Sequence, residues 1–126
     1  MTQYTKGMED YLEAIYVIQE SKGYARIKDI AELLSVKLPS VSEIIKKLQE
    51  KNLIEHTPYG GIKLTEIGKS IGKNVWEKHK TLYRFLKDYL KVDDDTAFRE
   101  ACLIEHSVSQ KTILKLQEFL KNLDKK

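Results

Sequence analysis

A helix, a tight turn, a second helix and a hairpin follow one another in the first half of the chain, and this order constrains the fold most. Residues 27–34, IKDIAELL, predict a short helix, and the next four residues leave room only for a tight connection. Pro39 then stands in the first turn of another helix, where proline is tolerated, and that helix is predicted to run to about Lys51. Residues 53–64 place Pro58 and a glycine pair between two β-prone runs, which predicts a hairpin. The order is typical of a winged helix-turn-helix.

Helical periodicity dominates the rest of the chain. Four further helices are predicted over residues 6–20, Thr65 to about Lys91, 94–106 and 109–123. We expect a domain boundary inside the long helix, with a winged helix-turn-helix in residues 1–72 and a helical domain in residues 73–126. The sequence therefore predicts a mainly α protein.

Composition and charge exclude several classes of protein. Hydrophobic residues make up 41% of the 126 residues, which is enough for a core, but no apolar stretch is long enough to span a bilayer. The N-terminal segment carries acidic residues within its apolar part, which excludes a signal peptide. A single cysteine cannot form an intramolecular disulfide, so we expect a cytoplasmic protein with no membrane partner. The net charge of +3 permits nucleic-acid binding only through a local basic patch.

The third helix has one apolar and one polar side. Aliphatic residues from Val41 to Leu48 recur on one side at 100° per residue. We expect DNA to be contacted by Lys37, Pro39, Ser40, Ser42, Glu43, Lys46 and Lys47, together with Tyr59 at the hairpin tip. Serines permit close approach, proline can press on a thymine methyl group, and lysines can pair with phosphates. An ordinary amphipathic helix with a solvated face is the alternative interpretation.

The segment ACLIEH carries three metal-ligating side chains at helical spacing. Cys102, Glu105 and His106 are related as i, i+3 and i+4, so they share one face of a helix. Thiolate, carboxylate and imidazole suit iron(II), cobalt(II) or zinc(II), whereas manganese(II) prefers more oxygen ligands. Further ligand candidates elsewhere in the chain are Asp10, Glu13 and His79. Solvated acids, a surface histidine and a small buried cysteine are the alternative interpretation.

Together these segments resemble the iron- and manganese-dependent repressors of the diphtheria toxin repressor type. The resemblance rests on MEDYLEAIY, on DIAELLSVKLPSVSEIIKKLQEKNLI, on LTEIGKSIG and on ACLIEH, and it covers nearly the whole chain. It implies a homodimer that binds double-stranded operator DNA when a divalent metal fixes the orientation of its two parts. It also implies a C-terminal domain that binds metal and dimerises, with no small organic ligand.

The ligand positions match two branches of that family unevenly. Cys102, Glu105 and His106 fall on the primary ligands of the iron branch. Asp10 and Glu13 match the manganese branch instead, which has glutamate where this chain has cysteine. His79 matches a ligand position in both branches. The iron branch has an ancillary site with an acid and a histidine at two positions where this chain has Tyr83 and Phe98. The resemblance therefore implies a hybrid site without that ancillary site.

The hybrid ligand set leaves the metal open between iron(II) and manganese(II), in a site for one ion or two. Co2+, Ni2+ or Zn2+ are expected to substitute in vitro. With 126 residues in the chain, the resemblance is to the two-domain members, and no SH3-like domain is expected. A metal-independent winged-helix transcription regulator is the alternative function. An enzyme is not expected, because we find no candidate pair of nucleophile and base.

Dimerisation is predicted through apolar side chains between residues 75 and 123. They supply more apolar surface than one small subdomain needs, and they are Trp76, Leu82, Phe85, Leu86, Leu90, Ile113, Leu116 and Leu120. A two-fold dimer would present two recognition helices to DNA.

Overall fold

A computed structural model describes residues 4–125 of the chain. Over this range the elements are α1 (Lys6–Lys22), α2 (Ile27–Leu34), α3 (Leu38–Glu50), β1 (Ile54–Thr57), β2 (Gly61–Leu64), α4 (Glu66–Arg84), a π-helical turn (Phe85–Tyr89), α5 (Asp94–Ile104) and α6 (Gln110–Asp124). The predicted mainly α fold with an N-terminal winged helix-turn-helix is confirmed. The chain divides into two compact units between Lys73 and Asn74, within α4. The assignment of functional domains to residues 1–72 and 73–126 stays a prediction.

Helix α1 begins and ends with local capping interactions. The Thr5 hydroxyl accepts a hydrogen bond from the Met8 N–H at 3.1 Å, which satisfies a donor that the first helical turn leaves open. Gly23 follows the helix in the left-handed conformation, with φ of 91°, and its N–H bonds to the Gln19 carbonyl. The sequence signals at both ends therefore set the length of this helix.

The core of the first unit lies among α1, α2, α3 and the hairpin. Its fully buried side chains include Leu12, Ile15, Ile30, Val41, Leu48, Leu53, Ile54 and Ile62. Burying one such aliphatic side chain contributes about 1.5–3 kcal/mol. The apolar side of α3 predicted from periodicity is thus confirmed as the core side.

The turn between α2 and α3 is short because Ser35 ends α2 in the left-handed conformation, with φ of 55°. The Val36 N–H then returns to the Ala31 carbonyl at 3.0 Å. Helix α3 begins at Leu38 with Pro39 in its first turn, as predicted. The short turn therefore fixes α3 against α2, and the exposed side of α3 keeps a fixed orientation on this pair of helices.

The hairpin is tied back to the helices at its base. β1 and β2 are antiparallel, with Ile54 opposite Leu64. A further bridge joins Ala25 to Ile62 through two backbone hydrogen bonds of 2.7 and 2.8 Å. The Gln19 side chain also accepts the Leu64 N–H at 2.8 Å. These contacts anchor the hairpin while its tip projects into solvent.

The second unit differs from the prediction in how its first helix ends. The helix expected to reach about Lys91 becomes π-helical at Phe85, where the Leu90 N–H bonds to the Phe85 carbonyl at 3.1 Å. Lys91 then takes a left-handed φ of 63°, which stops the helix. The next helix, α5, is capped by Asp93, which accepts the Thr96 N–H. This hydrogen bond holds the pKa of Asp93 below its usual value.

Part of the apolar surface predicted for dimerisation is buried within the chain. Leu82, Ile113 and Leu120 are at most 6% exposed, so the prediction that they supply an outer surface is wrong. They are buried because each lies on the side of its helix that faces the interior. The large exposed apolar side chains of the second unit are Leu90, which belongs to the predicted set, and Phe98, Leu103, Leu114, Phe119 and Leu123, which do not. None of the helices in residues 4–125 has the length and apolar character that crossing a membrane requires.

Candidate metal centre and nucleic-acid interface

His79 of α4 meets two predicted ligands from the end of α5. Its Nδ1 atom lies 3.6 Å from the Cys102 sulfur and 3.3 Å from Glu105 Oε2. The three potential ligand atoms all lie within 4.8 Å of one another. Glu105 directly follows α5 and keeps helical backbone angles, so it remains on the same face as Cys102. A single ion can therefore contact all three side chains.

Glu105 is a buried carboxylate whose oxygens accept no hydrogen bond from the part of the chain that the structure describes. The residue is 1% exposed, and neither side-chain oxygen receives a well-formed hydrogen bond from residues 4–125. The His79 nitrogen is close enough to Oε2, but it lies outside hydrogen-bond geometry. Burying a charged group without compensation is costly, so the site favours a cation. Thiolate, carboxylate and imidazole are ligands that divalent transition ions accept, and the donor set fits such an ion.

His106 reaches the same carboxylate from its other oxygen. Helix α5 ends at Ile104, two residues earlier than predicted, and the Ser107 N–H closes a turn onto the Ile104 carbonyl at 2.8 Å. The prediction that His106 lies on the helix is therefore wrong, because the residue lies in this turn. Its Nε2 atom is 3.5 Å from Glu105 Oε1, and its side chain is 6% exposed. Glu105 thus lies between two imidazoles.

The side chains predicted to face DNA form the solvent side of the helix-turn-helix. The exposed residues are Lys37, Pro39, Ser40, Ser42, Glu43, Lys46 and Lys47. Lys47 lies 4.0 Å from Glu43, in a solvent-exposed pair that constrains it little. Tyr59, at the hairpin tip, is 97% exposed. The arrangement leaves both the helix and the tip accessible to a duplex.

Two family models cover the chain almost from end to end. Residues 3–62 match the iron dependent repressor, N-terminal DNA binding domain. Residues 65–126 match the iron dependent repressor, metal binding and dimerisation domain. The chain belongs to the iron dependent repressor family.

Individual relatives agree with this assignment. The chain is 37% identical over 123 residues to an uncharacterized HTH-type transcriptional regulator from Methanocaldococcus jannaschii, covering 97% of this chain and 98% of that protein. It is 38% identical over 116 residues to the HTH-type transcriptional regulator MntR of Bacillus subtilis, covering 92% of this chain and 81% of that one. The solved manganese regulator SloR superposes with a TM-score of 0.80 at 35% identity. That match covers 90% of this chain and 53% of SloR, so the chain spans about half the length of that structure.

Two predicted ligands of this iron dependent repressor lie in its first unit. Asp10 and Glu13 are both on α1, three residues apart, so they share a helix face. Their side chains belong to the DNA-binding part of the family, whereas the other four predicted ligands belong to the metal-binding part. Their recruitment to the metal centre stays a prediction.

The aromatic neighbours of His79 in this iron dependent repressor were not predicted from the sequence. Trp76 and Tyr83 lie beside the imidazole from one helical turn before and after it. Helical spacing could have found both, because residues three and four apart are neighbours. Phe98 reaches the imidazole from α5, and only the packing of two helices places it there.

Proposed function

We propose that this protein is a divalent-metal-dependent transcriptional repressor that binds operator DNA as a homodimer when loaded with iron(II) or manganese(II). The buried Glu105 carboxylate, which receives no well-formed hydrogen bond from the described residues and lies beside His79 and Cys102, carries the proposal. Membership of the iron dependent repressor family supports it, as do relatives named as transcriptional regulators. The cytoplasm is the expected location of such a repressor.

Six side chains are proposed as the metal ligands. His79, Cys102 and Glu105 supply three donors within one small volume of the second unit. The remaining proposed ligands are His106, Asp10 and Glu13. A bound divalent ion would supply positive charge that offsets the negative charge of its carboxylate ligands. Only a difference in metal affinity between two arrangements of the chain can then change its affinity for DNA.

Isothermal titration with manganese(II) and with anaerobic iron(II) tests metal loading. The proposal expects saturable binding of at least one of these ions, with one or two ions per subunit. The alternative, a metal-independent winged-helix regulator, expects no binding to the pure protein beyond that of a variant lacking Glu105 and His79. Because ligands must lose protons, the titration also releases protons, which the buffer dependence of the heat detects.

The second unit is expected to form a dimer in solution. Its exposed apolar side chains include Phe119 and Leu114 on α6, each 54% exposed, and removing such surface from water is favourable. Sedimentation equilibrium at micromolar concentration should give twice the chain mass of 14.7 kDa. Phe119→Glu should shift the mass toward the monomer, whereas Lys121→Ala, which makes the same one-unit charge change on another side of α6, serves as the charge control. A monomer with and without metal would remove dimerisation from the proposed function.

Lys47→Ala is expected to weaken binding to all DNA sequences alike. The lysine is exposed on the polar side of α3, and its ion pair with Glu43 is solvent-exposed, so it can neutralise one phosphate. The slope of log affinity against log salt should become shallower by about one unit. Lys111→Ala, an equal charge change on exposed α6, is the matched control and should leave the slope unchanged. An unaltered slope in the Lys47 variant would show that this side of α3 does not meet the phosphates.

A further inference from the structure

Three aromatic rings surround the His79 imidazole. Trp76 and Tyr83 flank it along α4, with ring centroids 5.6 and 6.1 Å away and planes tilted by only 12° and 5°. Phe98 approaches from α5 with its centroid 4.7 Å away and an interplanar angle of 74°. We call Trp76, Tyr83 and Phe98 the aromatic enclosure. Trp76 and Phe98 offer no donor atom to a divalent ion, and the Tyr83 hydroxyl is hydrogen-bonded to Asp94, so the three rings act on His79 through packing.

The aromatic enclosure is anchored to both helices. The Tyr83 hydroxyl donates a hydrogen bond to the Asp94 carboxylate, and Lys87 Nζ lies 3.2 Å from the same carboxylate. The hydrogen bond from Tyr83, and to a smaller extent the one from Lys87, holds the pKa of Asp94 below its usual value. Phe98 lies one turn further along α5 and packs edge to face on Tyr83, with centroids 6.0 Å apart. The rings therefore share a fixed frame made by α4 and the start of α5.

Such a frame limits how the imidazole can turn. The terminal torsion of histidine is broad, and a half turn exchanges Nδ1 with a ring carbon. Parallel rings on two sides and an edge-to-face ring on a third favour a narrow range of ring orientations. In the observed orientation, Nδ1 lies within 3.6 Å of the Cys102 sulfur and the Glu105 carboxylate. Groups that hold a ligating imidazole in place raise metal affinity because less order is lost on binding.

We propose that Phe98, supported by Tyr83, is a positioning residue that holds His79 with Nδ1 directed at Cys102 and Glu105. This rests on the proposed function, because it assumes that His79 ligates the metal. Phe98 is 53% exposed, so its removal leaves no internal cavity and the chain should fold normally. It is therefore a cleaner probe than Tyr83, whose hydroxyl joins α4 to α5.

Titration of the full chain with cobalt(II) alone tests the proposal. Charge-transfer absorption from the thiolate reports the bond to Cys102, the visible bands report coordination geometry, and quenching of Trp76, the single tryptophan, reports an ion beside His79. Phe98→Ala is expected to bind cobalt(II) about tenfold more weakly and with altered visible bands. Phe98→Tyr keeps an edge-to-face ring and should restore both. Leu103→Ala removes a similarly exposed side chain from the same helix and should match the wild type.

A parallel titration of His79→Ala separates this inference from the proposed function. Loss of affinity in His79→Ala and in Phe98→Ala, with rescue by Phe98→Tyr, supports positioning. Wild-type affinity and visible bands in Phe98→Ala, beside weak binding in His79→Ala, would overturn positioning and leave the metal site intact. Failure of Phe98→Tyr to rescue would also overturn it. Wild-type binding by His79→Ala would overturn both the inference and the proposed ligand set.

Discussion

Glu105→Gln is expected to stabilise the metal-free protein and to abolish its stabilisation by divalent metal. The carboxylate is buried without a well-formed hydrogen bond from any described residue, and such a group destabilises the fold by about 1–3 kcal/mol or more when charged. The neutral amide removes that charge while keeping nearly the same shape. It also offers an N–H donor to a site that requires an anionic ligand. Stability without metal should therefore rise while metal affinity falls.

Thermal unfolding with and without manganese(II) measures both effects. Metal at about one hundred times its dissociation constant should stabilise the wild type by about 2.7 kcal/mol, and Glu105→Gln should show none of this increment. Glu100→Gln makes the same change at an exposed position of α5, the helix that Glu105 follows, and should behave as the wild type does. A Glu105→Gln protein that is less stable without metal, or that keeps its metal increment, contradicts the account of this carboxylate.

Gly72→Ala is expected to lower the free energy of unfolding by about 2 kcal/mol. A methyl group at this position would lie 2.5 Å from the Leu12 carbonyl oxygen and 3.1 Å from the Tyr16 Cβ, so α4 would have to move away from α1. Overpacking of this kind costs about 1–3 kcal/mol. It outweighs the helix propensity that alanine gains over glycine, which is at most about 1 kcal/mol. Gly68→Ala would likewise overlap the Leu53 carbonyl.

Urea unfolding of matched glycine variants tests this packing. Gly7 lies in α1, where an added methyl group would meet nothing closer than the Thr5 hydroxyl at 3.9 Å. Gly7→Ala should therefore be neutral or raise stability by up to about 1 kcal/mol. Equal midpoints for Gly7→Ala and Gly72→Ala would show that α4 does not pack closely on α1.

The first unit was predictable because its signals are local. Helix α2 was predicted with the bounds that it has, since a short apolar period is followed by a residue that can end a helix. Pro39 fixed the start of α3, and the glycine pair after Pro58 fixed the hairpin. Each of these features is set by residues that are close together in the sequence, so the sequence alone indicates it.

The second unit was less predictable because its details depend on packing between helices. The π-helical turn at Phe85 was not predicted, because no proline or glycine marks it in the sequence. Leu120 was predicted to supply outer surface but is buried, whereas Phe119, which was not in the predicted set, is exposed. The contact of Phe98 with His79 joins residues nineteen apart in sequence and on different helices. Cys102 and Glu105, in contrast, are close together in the sequence, so their spacing was enough to predict that part of the site.

Operator affinity as a function of metal tests the central claim most directly. DNA selected from a random duplex library on the manganese(II)-loaded protein supplies the probe, and its affinity is then measured with manganese(II), with anaerobic iron(II) and with chelator. The account predicts affinity at least about tenfold higher with one of these ions than with chelator, a coupling of about 1.4 kcal/mol or more. It also predicts that His106→Ala keeps its fold and its dimer but loses the difference. Equal affinity with metal and with chelator, in a protein that binds the metal, would contradict it.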